Sequence, residues 1–145
     1  MRNLVIFMLA LAGVYIYLQR NPEVAAKVPL IGDQGRYEDQ LRVAVENQAS
    51  NLQVRGAGKI IELLPADSGR IHQLFRIETE GGHILLLDHN TELAPALKSP
   101  QLGDKVYFFG EFDWTERGGV VHHTYNDSSG EHMSGWVKHM GRTYQ

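Results

Sequence analysis

The sequence predicts an all-β domain with an N-terminal helix, a small five-stranded OB-like Greek-key barrel preceded by a transmembrane or signal segment. Three observations predict it. A single uncharged apolar run opens the chain, and nothing later resembles it. From Gln53 onward the pattern turns β-prone, with apolar residues alternating along several segments. Turn clusters then divide that region into three strands, a connector and two strands, which is the plan of an OB barrel. Strand number and connector position favour this plan over an SH3-like barrel or a β-sandwich.

The chain divides into four segments: 1–20, an anchor or signal; 21–35, a linker; 36–50, an amphipathic helix; and 51–145, the barrel. In the first, Leu4 to Leu18 are fifteen uncharged residues preceded by Arg2 and followed by Gln19, Arg20, Asn21 and Pro22. A positive charge before an apolar run is the pattern of an export signal. At 1.5 Å per residue the run spans about 22 Å, short of the roughly 30 Å hydrocarbon core. Tyr15 and Tyr17 suit the interface, and Arg2 and Arg20 can snorkel. Small residues suited to cleavage do not follow the run directly, since Ala25 and Ala26 lie well downstream. An uncleaved signal-anchor is therefore favoured over a cleaved signal peptide. The linker carries Pro22, Pro29, Gly32 and Gly35 without a sustained period. In the helix Tyr37, Leu41, Ala44, Val45 and Gln48 recur at three- and four-residue spacing, with Asp33 as a candidate N-cap.

The barrel opens with "QVRGAGKIIELLP", a strand whose Gly56 and Gly58 mark a bulge or bend. "RIHQLFRIETE" and "HILLLDHN" flank Gly81-Gly82 as a hairpin. "TELAPALKSP" is a connector. "GDKVYFFGEFDW" and "GGVVHHTYN" flank "TERG" as a second hairpin, and "GWVKHMGRTYQ" suits a last short hairpin about Met140-Gly141.

Composition narrows the function. The 145 residues carry a net charge of −3 and both signs are interspersed, so no basic face offers the electrostatic footprint of a nucleic-acid binder. The absence of cysteine excludes disulfides, thiolate metal ligands and a cysteine nucleophile. No HExxH, Walker loop, GxSxG or paired-histidine zinc spacing occurs.

The chemistry-bearing residues are histidines and acids, and strand alternation sorts them. Pairing the second hairpin about Arg117-Gly118 sets Asp113 opposite His122 and Phe112 opposite His123. Val106, Phe108, Phe112, Trp114, Val121, His123 and Tyr125 then form a core face. Tyr107, Phe109, Glu111, Asp113, His122 and Thr124 form a polar one. A one-residue slip would bury both carboxylates, which is costly. Pairing the first hairpin about Gly81-Gly82 sets Leu74 opposite His89 and places His72 and His89 on one face as diagonal neighbours. Aliphatics on both faces leave that register less determined.

Glu111, Asp113 and His122 are thus candidate catalytic groups, because a carboxylate beside an imidazole orients it and raises its pKa. His72, Gln73, His89, Asn90, Thr124 and Trp136 are candidate ligand-binding residues. His72, His89, His122 and His132 are candidate ligands for a divalent metal such as Zn²⁺. His139 reads as a loop residue and His83 as a surface residue after a turn. Trp114 and Trp136 suit the barrel core or rim, and Trp136 is also a candidate for stacking on a ligand ring.

The blocks "HQLF", "HNTELAP", "GDKVYFFGEFDW", "GGVVHHT" and "GWVKHMGRTYQ", in this order and spacing, resemble a bacterial family known only as domain of unknown function 3465. The resemblance covers about residues 52–145. It implies a small, often exported domain and no assigned activity, so it carries over no catalytic residues. Against that family's pattern Leu74 and Ala96 stand where Arg is usual, His123 replaces Trp, and Tyr125 and Asn126 stand where His is usual. Two missing Arg would weaken an anion or phosphate site.

The expected function is a membrane-anchored or exported binding module for a small ligand, a metal ion or an envelope partner. The alternative is a metal-dependent hydrolase of phosphodiesters or nucleic acid. The expected place is the bacterial inner membrane, spanned once by residues 4–18, with the C-terminal domain in the periplasm, or the periplasm itself after cleavage. Fractionation tests this. An uncleaved anchor predicts full-length chain in the membrane fraction, a cleaved signal predicts a shorter chain outside the cytoplasm, and full-length protein in the cytosol contradicts both.

Overall fold

The structure, a computed structural model, describes residues 33–65 and 71–145, together with Gly13, Ile16 and Tyr17; side chains within the helix are described from residue 40 onward. The chain forms two compact units, Met1–Arg36 and Tyr37–Gln145, and the second holds the barrel. The apolar run 4–18 lies almost wholly outside the described residues, as does most of the linker. Among the described residues no helix is long and apolar enough to cross a membrane.

Helix α1 (Asp33–Glu46) precedes strands β1 (Leu52–Leu64), β2 (His72–Thr79), β3 (Ile84–Asn90), β4 (Lys105–Asp113), β5 (Val120–His122), β6 (Trp136–His139) and β7 (Arg142–Tyr144). Strand order is β1-β2-β3-β5-β4-β6-β7, and β1 also pairs with β4, so the first five strands close on themselves. Closure removes the sheet edges within that ring. Every pairing is antiparallel except β3 with β5. The long first strand makes this possible by serving two partners. Leu52 to Lys59 pair with β4, Gly58 to Leu64 pair with β2, and a register shift falls between Ile60 and Glu62. The glycine-marked bend expected in this strand sits at that exchange of partners. Seven strands rather than five are present, because β6 and β7 extend β4 on its far side through the expected turn at Met140-Gly141.

The interior is built by alternation. Val54 and Ile60 of β1, Phe75 and Ile77 of β2, Leu85 and Leu87 of β3, Val106, Phe108 and Phe112 of β4 and Val121 of β5 are buried together. In α1, Ala44 is buried and Leu41 and Val45 pack against the same core. The helix ends earlier than expected. Gln48 takes a φ of 52°, and the Gln48 and Ala49 N–H groups return to the Val45 and Ala44 carbonyls. That pattern is a Schellman stop, with Gln48 in the left-handed position that glycine usually fills.

Two expected registers are corrected. In the β2–β3 hairpin His72 faces Asn90, Gln73 faces His89 and Leu74 faces Asp88, one residue from expectation. The turn is not a two-residue Gly-Gly loop. Thr79 N–H reaches the His83 carbonyl, and Gly82 takes a φ of 76° as the last of three loop residues, the form of a three-residue hairpin loop with a glycine bulge. The odd shift exchanges faces, so His72 points outward while His89 lies inside the barrel, fully buried. In the β4–β5 hairpin Phe112 faces Val121 and Glu111 faces His122, two residues from expectation. An even shift keeps the residues within the two strands on their faces, whereas His123 and Thr124, beyond the end of β5, do not keep theirs.

His89 is the only fully buried polar side chain of the β3 strand, and it is satisfied at both nitrogens. Nε2–H donates to the Pro95 carbonyl at 3.0 Å, which leaves Nδ1 to accept the Thr124 hydroxyl at 2.9 Å. Gln73 holds the same connector by accepting from Leu97 N–H at 2.7 Å and donating to its carbonyl at 3.2 Å. Both residues, expected to bind ligand, instead tie the 91–104 connector to the barrel. Thr124, expected on the polar face, is buried beside His89. His139, expected in a loop, is a buried strand residue whose Nε2 donates to Asp104 at 2.7 Å. His83 is half-buried, and its Nε2 donates to the Gly118 carbonyl at 2.6 Å, linking two hairpin loops.

Burial disfavours charge on His89 and lowers its pKa, and only partly do the Pro95 hydrogen bond and nearby Asp88 oppose this. The unfolded chain therefore takes up this proton first, as pH falls through its ordinary value of 6.5. His89 costs nothing above that pH and destabilises the fold progressively below it. The expected result is a loss of stability between pH 7 and 5 that is larger in wild type than in His89→Gln, measured by urea unfolding. His89→Ala should cost about 2–4 kcal/mol at pH 7, from two stranded partners and a cavity.

Candidate functional site

The outer face of β4 and β5 follows from the inner one. With Phe112 and Val121 buried, Glu111, Asp113 and His122 must point out. His122 Nε2 donates to Asp113 Oδ2 at 2.7 Å. Asp113 Oδ1 also accepts the Asn51 N–H at 2.9 Å, so its carboxylate is held from both sides. Burial pushes this carboxyl up, but the Asn51 N–H and His122 together outweigh it and hold its pKa below the ordinary value. Asp113 is therefore ionised at neutral pH.

β5 ends at His122, and the chain turns sharply at His123, whose φ is 51°. The reason lies beneath it. A side chain at Gly110 would strike the His122 carbonyl at 2.4 Å, and one at Gly135 would strike the His123 carbonyl at 2.2 Å. Two glycines thus let the segment after β5 lie directly on β4 and on the start of β6. The turn ends the alternation that would have put His123 in the core. His123 is instead half-buried on the outer side, with its ring centroid 4.4 Å from that of His122 and 3.9 Å from that of His132. Its Nδ1 is buried and has no hydrogen-bond partner. Burial first, then the neighbouring His122 and His132, lower its pKa and keep it neutral.

His132 comes from the loop 126–135, which Asp127 organises. Asp127 Oδ1 accepts the Ser129 N–H at 2.8 Å and hydroxyl at 2.6 Å, and Oδ2 accepts the His132 N–H at 2.7 Å. These bonds hold the Asp127 carboxyl down at about 2. The loop so folded brings His132 Nδ1 to 3.8 Å from Glu111 Oε2. Glu111 thereby belongs to two groups. Glu111, Asp113 and His122 each offer a ligand atom within 4.8 Å of the others, and so do Glu111, His123 and His132.

Next to these groups is a cleft of about 350 Å³ lined by His72, Asp88, Asn90, Val120, His122, His123 and Tyr125. On its far wall His72 Nδ1 donates to Asp88 Oδ1 at 2.5 Å. Asn90 caps the turn that follows β3, its Oδ1 accepting the Glu92 and Leu93 N–H groups at 2.9 and 3.3 Å.

Of the expected metal ligands, His122 and His132 reach this face, each beside Glu111. His72 pairs with Asp88 across the cleft, and His89 is inside the barrel, so the four do not form one ligand set. Trp136 does not line the cleft. It packs against Phe109, with the Arg55 guanidinium 5.4 Å and the Lys138 ammonium 4.9 Å from its ring. Asp88, His123 and Tyr125 were not among the expected site residues. Once the strand register is known, Asp88 follows from the alternation of "LLLDHN", whereas no local pattern brings His123 outward. No curated protein matches the sequence. The family model described as Protein of unknown function (DUF3465) matches residues 25–145, a longer stretch than the blocks that first suggested it, and the chain belongs to that family.

Proposed function

We propose that the domain is a metal-binding module that holds a divalent transition-metal ion on the outer face of β4 and β5, with Glu111, Asp113 and His122 as ligands. The observation that carries this reading is that one ligand atom from each of the three lies within 4.8 Å of the others. Two carboxylates and an imidazole form an N/O donor set without thiolate, suited to Zn²⁺ and to Mn²⁺, Fe²⁺ or Co²⁺. An ion would replace the His122–Asp113 hydrogen bond. His122 then needs a lone pair on Nε2, which the neutral ring provides by carrying its proton on Nδ1. Asn51 is the outer group that keeps Asp113 oriented.

Three protein ligands leave coordination positions free, and the adjoining cleft gives a small ligand access to them. The barrel order with its parallel β3–β5 closure supports reading the fold as OB-like, an architecture that commonly presents a binding face. Metal-assisted hydrolysis is subordinate to this reading. It requires the same ion and adds the His72–Asp88 pair, on the same cleft, as a general base. The anchor segment 4–18 would place the module at the outer surface of the inner membrane.

The test is ion binding by protein purified without a histidine tag. Zn²⁺ should bind at near-stoichiometric level, and His122→Ala should weaken that binding by roughly 100-fold with an unchanged far-ultraviolet circular dichroism spectrum. No bound ion, or equal binding by the folded variant, contradicts the proposal.

A further inference from the structure

Glu111 belongs to both groups of ligand atoms, and nothing in the first group accounts for the second. His123 and His132 reach Glu111 from two further places in the chain, one from the residue just after β5 and one from the 126–135 loop. We infer that the face takes two divalent ions, the second held by Glu111, His123 and His132, with the Glu111 carboxylate shared between them. This rests on the reading of the face as metal-binding and names a further ion and its ligands.

Three observations carry it. Each of the three residues offers a ligand atom within 4.8 Å of the other two, the same closeness found in the first group. His123 Nδ1 is buried without a hydrogen-bond partner. A buried imidazole nitrogen normally finds one, and its absence costs of order 1–3 kcal/mol unless something else engages it. A bound ion would supply that partner at Nδ1, with the ring's proton on Nε2. The loop that presents His132 is also built, not merely present. Asp127 accepts the His132 N–H itself, and Ser129 and Ser134 complete the bonds across the loop. An exposed histidine on an unconstrained loop would not be fixed over a carboxylate and a second ring.

A carboxylate has two oxygens, so one Glu can ligate two ions, one on each. Two imidazoles and a shared carboxylate favour Zn²⁺, Co²⁺ or Fe²⁺ over Mg²⁺ and Ca²⁺, which prefer oxygen ligands. The two ions would sit at the mouth of the cleft lined by His122 and His123. That arrangement suits an anionic small ligand, whose oxygens can bridge the pair.

Co²⁺ titration of tag-free protein, followed by visible absorption and by ion analysis after gel filtration, tests the inference. Wild type should bind two ions. His132→Ala and His123→Ala should each bind one, His122→Ala should lose the other, and Glu111→Gln should weaken both by roughly 10-fold or more. His132 is exposed on a loop, so its variant reports even if substitution at His123 disturbs folding. One ion in wild type, lost in His122→Ala and retained in His132→Ala, overturns the second site and leaves the first. Two ions with only one weakened in Glu111→Gln overturns the sharing. No ion in wild type overturns both readings.

Discussion

Phe112 of β4 and Val121 of β5 face each other inside the barrel, both fully buried, and the outer surface depends on that pair. A strand closed into a barrel has one face committed to the interior, so its next residues are committed to the exterior. Glu111 and Asp113 flank Phe112, and His122 follows Val121. The alternative parity would bury two carboxylates at a cost of several kcal/mol each and expose two phenylalanines and two valines. The apolar pair thus concentrates acids and a histidine on a small area outside, where water and ions reach them.

The same rule separates the seven histidines by role. His89 and His139 are on the interior side and act as neutral or acid-paired struts, one tying the connector to the barrel and the other holding Asp104. His83 links two hairpin loops. His72, His122, His123 and His132 lie around the cleft and its rim. His89 has both ring nitrogens bonded by the protein, and His139 and His83 each have Nε2 bonded. Among the outer four, His123 keeps a buried nitrogen without a partner. On the proposed reading ligand chemistry falls to the second set, which lies around the cleft, whereas His89 is closed off inside the barrel.

Much of the fold was legible in the sequence, and the errors have particular causes. The β4–β5 faces were correct as far as His122, despite a register two residues off, and failed at His123 and Thr124. Their parity is set by Phe112 and Val121 against Glu111 and Asp113, while the loop length is set by Gly118 and Gly119, both at positive φ. The β2–β3 faces were exchanged. Leu74 and Leu86 lie outside and Leu85 and Leu87 inside, so composition says nothing about parity there. Gly81-Gly82 then suggested the wrong loop length. His123 was assigned to the core by extending alternation past the end of β5, where Gly110 and Gly135 let the chain turn. His132 lies in a segment without periodicity, and its place depends on the Asp127 bonds, which only the folded loop reveals.

If the outer face is metal-binding, the outer histidines take an ion and the inner ones do not. Long-range ¹H–¹⁵N NMR of the histidine rings, with and without Zn²⁺, tests it most directly, because it reports each ring nitrogen separately. A His122 nitrogen should move to the metal-bound range while His89 keeps its proton on Nε2 throughout. A His89 ring that responds to the ion, or a His122 ring that does not, would contradict it.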